Sequence, residues 1–191
     1  MSLRTKNAIC ESFLDLLNER PFDKISIRDI IERSQVSRST FYYYYQDIYA
    51  LTEDIFEAEI EKVTSRVGDY DSWQKVLHDA TAFASANRTA ILHIYESANR
   101  ELLEYYYHKT ILTAMLSYVH KEAEDLEVPE RKILVLAKFY AAALTSLSLD
   151  WLGSGMKDGS ESFLEDLSGM LDGNVRQALE RAAAREEAQT H

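Results

Sequence analysis

The sequence predicts an all-α fold: a short N-terminal group of three helices followed by a longer helical remainder. Two observations carry this prediction. Among 191 residues there are only 2 Pro and 6 Gly, too few turn formers for the many reversals of a sandwich or barrel. Apolar residues recur every three or four positions along most of the chain, the period of helices with one buried face. A hydrophobic content of 46% beside 28% charged residues is that of a folded globular chain, since a disordered one is poorer in apolar groups.

The first helix is expected from about Leu3 to Glu19, with Ile9, Phe13, Leu16 and Leu17 on one face. Pro21 stops it, because the residue before a proline avoids the α region. The second helix starts at Ser26. In Ser26-Ile27-Arg28-Asp29 the hydroxyl can take an orphan amide while Asp29 reaches back, which is a capping box. This helix ends near Arg33, and Ser34-Gln35-Val36 makes a tight turn. Ser37 caps a third short helix to about Tyr45, and Asp47 caps a long fourth helix to about Val67, roughly 30 Å at about 1.5 Å per residue.

After a connector at 68–72, helices are expected at about 72–86, 87–97 and 100–125. Pro129 suits a helix start, and the following helix runs to about Trp151. From Ile133 to Leu152 it is apolar almost all round, the pattern of a buried helix. A last helix is expected from near Ser160, with Phe163, Leu164, Leu167, Met170, Leu171, Val175 and Leu179 on one side. Gly169 and Gly173 inside it mean either a close helix contact, the preferred reading, or an early stop, and the tail after Arg185 is expected to fray.

Several classes are excluded. A lone Cys10 rules out an intrachain disulfide framework and a cysteine-based zinc site. His78, His93, His108, His120 and His191 do not fall at metal-ligand spacing. The pairs His93…Glu96 and His120…Glu124 supply two ligand types each, fewer than a metal needs. No Gly-rich phosphate loop and no nucleophile elbow occur, so no catalytic residue, metal or cofactor is expected. No run of about 18 apolar residues occurs, so no membrane span is expected. Met1 to Glu11 is polar, which argues against a secretory signal and for a cytoplasmic location.

The net charge of −11 looks wrong for a nucleic-acid binder until its distribution is read. Residues 1–50 hold seven bases and seven acids, whereas the rest holds fourteen bases and twenty-five acids. A neutral head therefore precedes an acidic body, an asymmetry that suggests two tasks. Two short helices joined by about three residues, following a longer helix, have the spacing of a helix-turn-helix. In the second of these, Phe41 and Tyr45 share the inner face. The outer side shows Arg38, Ser39 and Tyr42, with Thr40, Tyr43 and Tyr44 off-centre. Hydroxyls and one fork donor without an acid suit phosphates and base edges; the same face would also serve as plain solvated surface.

From Ser26 to Leu51 the chain resembles the TetR family of transcriptional regulators. The matching residues are Ile30-Ile31, Val36-Ser37-Arg38, Thr40-Phe41-Tyr42-Tyr43, Tyr45, Asp47 and Leu51. The resemblance implies an N-terminal helix-turn-helix DNA-binding domain, residues 1–51, and a C-terminal helical ligand-binding and dimerisation domain, residues 52–191. It implies that Ser26, Ile27 and Arg28 lie at a phosphate or base, that Arg38, Ser39 and Thr40 read base edges, and that Tyr42 and Tyr44 touch phosphates. Tyr43 either joins them or packs sideways. For Arg28 the alternative is an ion pair to Glu32, and for Tyr44 simple packing. Two residues depart from the family pattern: Gln35 stands where glycine is usual at the turn, and Ile48 where a phosphate-touching lysine is frequent.

Trp73, His93, Tyr95 and Tyr106 are the candidates for a ligand pocket, because the corresponding region of the family often holds a small-molecule cavity. Three consecutive tyrosines at 105–107 are equally ordinary core and surface. Leu144, Leu147, Trp151, Leu167 and Leu171 are expected at a homodimer interface, since one subunit covers only part of so apolar a helix. The expected protein is a dimeric regulator that binds a near-palindromic operator in double-stranded DNA and is released, as a repressor, by a small-molecule effector. The alternative is a co-regulator or activator acting through a protein partner. The subgroup with an Asp47-Ile48-Tyr49 run contains activators as well as repressors.

Overall fold

The computed structural model describes residues 3–64, 73–157, 170 and 173–190. Among them the chain forms nine α-helices and no strand. They are α1 (Leu3–Glu19), α2 (Ile27–Ser34), α3 (Arg38–Tyr44), α4 (Ile48–Thr64), α5 (Trp73–Ala86), α6 (Arg88–Tyr95), α7 (Arg100–Ala123), α8 (Glu130–Gly153) and α9 (Asn174–Thr190). A 3-10 turn, Phe22–Lys24, separates α1 from α2. The backbone divides into two compact units, one from residues 1–61 with 83–106 and the other from 62–82 with 107–191.

The start signals read at Ser26, Ser37 and Asp47 are used. Ser26 caps α2, its hydroxyl accepting from the Asp29 amide while Asp29 accepts from the Ser26 amide. Ser37 caps α3 by accepting from the Thr40 amide at 3.1 Å, and Asp47 caps α4 by accepting from the Ala50 amide at 2.8 Å. Gln35 closes α2 with φ 55° and ψ 32°, the left-handed turn expected there despite the missing glycine.

In the first unit Ile9, Phe13, Leu16 and Leu17 of α1 are buried, as are Phe22, Ile30, Phe41 and Leu51. Phe13 and Phe22 contact edge to face, with centroids 5.9 Å apart. Truncating a ring in such a core costs about 3–5 kcal/mol. The unit also takes in α6, through a bond that Pro21 makes necessary. The Leu17 carbonyl has no amide four residues on, since proline lacks one. Nδ1 of His93 on α6 lies 2.6 Å from that carbonyl. The carbonyl can only accept, so the ring donates.

The second unit is built on Ile111, Met115 and Val119 of α7, Ile133, Ala137, Ala141 and Leu144 of α8, and Val175 and Leu179 of α9. Arg176 ties α9 to the end of α7. Its guanidinium donates to the Glu122 carbonyl at 2.8 Å and to Glu180 at 3.0 Å, and it forms a fork with both carboxylate oxygens of Asp125. That fork holds the Asp125 carboxyl below the usual carboxylate range.

Five expectations are corrected. Helix α8 is not buried all round: Val135 and Phe139 are each 67% exposed. Leu144, by contrast, is inside this unit's own core, so it is not on a face open to a partner. Gly173 has φ 69° and space around it, so it is a turn residue ahead of α9 and not a close contact. Helix α9 itself continues past Arg185 to Thr190. Finally, α8 is long and apolar enough to cross a membrane, with a mean hydropathy of 1.5; its inner side is core packing, which accounts for that composition. The expected Gly169, Leu167 and Leu171 positions and the side chain of Trp73 lie outside the described residues.

Candidate nucleic-acid interface

Helix α3 has seven residues, too few to persist without tertiary support. Phe41 is fully buried and Tyr45, its C-cap, is 4% exposed. This anchored side turns Arg38, Ser39, Tyr42 and Tyr43 outward, with Thr40 and Tyr44 half-buried at the flanks. The Arg38 guanidinium lies over the Tyr42 ring, 5.5 Å from its centroid. Tyr43 and Tyr44 meet edge to face at 5.1 Å, and Tyr44 leans on Tyr45. Ser37 Oγ is within 2.8 Å of Ser39 Oγ and 2.7 Å of Thr40 Oγ1. The exposed part of α3 thus presents hydroxyls, ring edges and one guanidinium, and no carboxylate.

The start of α2 is different. Ser26 gives both its amide and its hydroxyl to Asp29, at 2.8 and 2.7 Å. The Asp29 carboxyl is held below its ordinary value by these two donors, with Arg20 assisting. A side-chain carboxylate therefore already serves the positive end of α2, where a phosphate was expected at Ser26 and Ile27. Arg28 pairs with Glu32 at 2.7 Å, both well exposed. An exposed pair of this kind is screened by solvent and holds weakly. Ile48, at the first position of α4, is half-buried.

Each of the described ligand-pocket candidates has a neighbour of its own. His93 is committed to the Leu17 carbonyl. Tyr95 lies under the Arg100 guanidinium at 4.2 Å. Tyr106 is buried and stacked on Phe56, with centroids 5.3 Å apart. None of the three lines the small apolar cavity, about 70 Å³, that Phe13, Leu17, Thr52, Phe56, Ala90 and Ile94 enclose between α1, α4 and α6. His120 pairs with Glu130 at 3.2 Å, not with Glu124.

A polar group absent from the sequence reading joins α1, α3 and α4. Tyr45 donates to Asp54 Oδ2 at 2.8 Å, and Lys6 donates to Asp54 Oδ1 at 2.7 Å. Cys10 Sγ lies 3.4 Å from the Tyr45 hydroxyl; since that hydroxyl's proton goes to Asp54, the thiol donates. Burial raises the Cys10 thiol, which stays protonated. These residues are up to 48 positions apart, and no local motif links them. The one sequence signal was a hydroxyl on Tyr45, which the helical period places inside.

Residues 11–55 match the bacterial regulatory proteins of the tetR family, and residues 71–173 match a transcriptional regulator C-terminal region. A three-helix head with its helix-turn-helix, followed by a helical body, defines the class, and the chain belongs to the TetR family of transcriptional regulators. It is similar to the HTH-type dhaKLM operon transcriptional activator DhaS of Lactococcus lactis subsp. lactis (strain IL1403), 33% identical over 76 residues, 40% of this chain and 41% of that protein. An uncharacterized HTH-type transcriptional regulator of Bacillus subtilis (strain 168), YxbF, is 34% identical over 68 residues, 36% of this chain and 18% of its own length. The aligned part thus spans well under half of either curated relative. Among solved structures, a dihydroxyacetone kinase operon activator DhaS superposes with a TM-score of 0.72 at 20% identity, over 95% of this chain and 99% of that one. A TetR regulator from Streptococcus agalactiae 2603V gives 0.60 at 22%, over 88% and 93%. At these identities the two structures establish the fold.

Proposed function

We propose that this regulator binds double-stranded DNA as a homodimer, each subunit laying α3 in a major groove of a near-palindromic operator. The observation that carries this is the outer side of α3: Arg38, Ser39, Tyr42 and Tyr43 exposed and free of acids, over a buried Phe41 and Tyr45. Arg38, Ser39 and Thr40 read base edges, while the hydroxyls of Tyr42 and Tyr44 set register on phosphates. Residues 1–51 do the reading and residues 52–191 the dimerising and sensing. Members of the family are typically cytoplasmic, and the same is proposed here.

The dimer contact is proposed on α8 and α9. Val135, Leu136, Phe139 and Leu179 line an open groove of about 520 Å³ there, rimmed by Arg131 and Arg181. Leu147 and Trp151, half-buried on α8, flank the same contact. A small-molecule effector that favours one spacing of the two heads would release the operator by shifting that population. Activation is the second reading, favoured by the likeness to DhaS, whose name is that of an activator.

Selection of bound sequences from random duplex DNA by the full-length protein tests the proposal. The expected result is enrichment of a two-fold symmetric site. No enrichment over background overturns it.

A further inference from the structure

We infer that Asp54 and Tyr45 are positioning residues for operator reading: a carboxylate on α4 that fixes the roll of the reading helix through the Tyr45 hydroxyl. The inference rests on the DNA-reading role proposed for α3. Helix α3 has two anchors on its inner side, Phe41 and Tyr45. Phe41 is held by apolar contacts alone, which are non-directional and tolerate rotation. Tyr45 adds a directional side-chain bond at the C-terminal end of α3, 2.8 Å to Asp54. Its ring is 4% exposed, and a buried hydroxyl without a partner is costly, so turning α3 about its axis breaks a bond that water cannot easily replace.

Asp54 is itself held. Its second oxygen takes Lys6 from α1 at 2.7 Å, and the Lys6 ammonium is stabilised in its charged form chiefly by that bond. The side chains of Lys6 and Asp54 are 37% and 31% exposed, so the ion pair alone adds little stability. Its effect is to keep one carboxylate rotamer aimed at Tyr45. The chain of contacts therefore runs from α1 through α4 to the end of α3. Bidentate base contacts need side chains placed within a fraction of an ångström, and a rolled α3 would keep its phosphate contacts better than its base contacts.

The test uses the full-length protein with Tyr45→Phe, Asp54→Asn and both together. Affinity for the selected duplex and for a scrambled duplex is measured against salt. Tyr45→Phe is expected to lower the preference for the selected duplex by roughly tenfold, the loss of one hydrogen bond to a charged group, with an unchanged salt slope. Asp54→Asn removes a negative charge from each head. It is expected to lower preference while binding to scrambled duplex tightens and the slope steepens, by up to about one unit per subunit. The double variant is expected to lose no more preference than Tyr45→Phe alone. Preference within about twofold of wild type in both single variants, or losses that simply add, overturns the inference. Hydrogen exchange of the α3 amides judges it without DNA: Tyr45→Phe should speed exchange in α3 and leave α8 unchanged, and unchanged protection of α3 overturns it. A wild type that selects no sequence would instead count against the DNA-reading role and leave the exchange result to decide.

Discussion

Replacing Asp29 with asparagine isolates the charge that starts α2. The carboxylate accepts from the Ser26 amide at 2.8 Å and the Ser26 hydroxyl at 2.7 Å, with Arg20 at 3.4 Å. Asparagine keeps the shape and one acceptor but loses the charge. Hydrogen bonds to a charged group contribute about 1.5–3 kcal/mol against about 0.5–1.5 for neutral ones. A carboxylate in the first turn of a helix adds about 0.3–1 kcal/mol. The Asp29 side chain is 28% exposed, so solvent screening trims these gains, and about 1 kcal/mol remains at neutral pH. In a chain of this size that lowers Tm by about 2–4 °C. The pH dependence follows from the direction of the shift. The folded carboxyl lies below its ordinary value of 3.8, so its contribution is present above that value and is lost as pH falls through it and below. Thermal unfolding of Asp29→Asn beside wild type, at pH 7 and at pH 3, should therefore show a gap that narrows in acid. Equal Tm values at pH 7, or a gap as wide at pH 3, would refute the reasoning.

Three further outcomes are expected. Arg38→Ala should weaken binding to the selected duplex by about 1–3 kcal/mol and relax one position of the site; unchanged affinity and preference would remove Arg38 from base reading. Ile48→Lys should tighten binding to selected and scrambled duplex alike and steepen the salt slope by up to about two units per dimer, and a slope that stays put would mean residue 48 does not face the DNA backbone. Phe139→Glu should shift the protein to soluble monomers by light scattering, because it puts an unpaired charge into the proposed contact, whereas Leu144→Glu should unfold the second unit; soluble dimers of Phe139→Glu would sink the proposed interface.

What the sequence determined by itself is what local chemistry decides. Ser26, Asp29, Ser37 and Asp47 satisfy amides within three residues of themselves, so the starts of α2, α3 and α4 were legible from spacing alone. Pro21 ended α1, and the helical period put Phe41 and Tyr45 inside and Arg38 and Tyr42 outside. The family likeness was legible for the same reason, since its pattern is a set of short gaps within the head. Tertiary structure decided everything that depends on partners distant along the chain. Pro21 announced an unsatisfied carbonyl at Leu17, but nothing local named His93, 76 residues on, as the group that serves it. An apolar stretch from Ile133 to Leu152 could not say which side faces its own core, because burial depends on where α7 and α9 lie; Leu144 went in and Phe139 stayed out. The tyrosines at 95 and 106 each found a different neighbour, Arg100 and Phe56. Lys6, Cys10, Tyr45 and Asp54 converge for the same reason: a hydrogen bond over 48 residues needs the fold to bring its ends together, and no spacing rule encodes it.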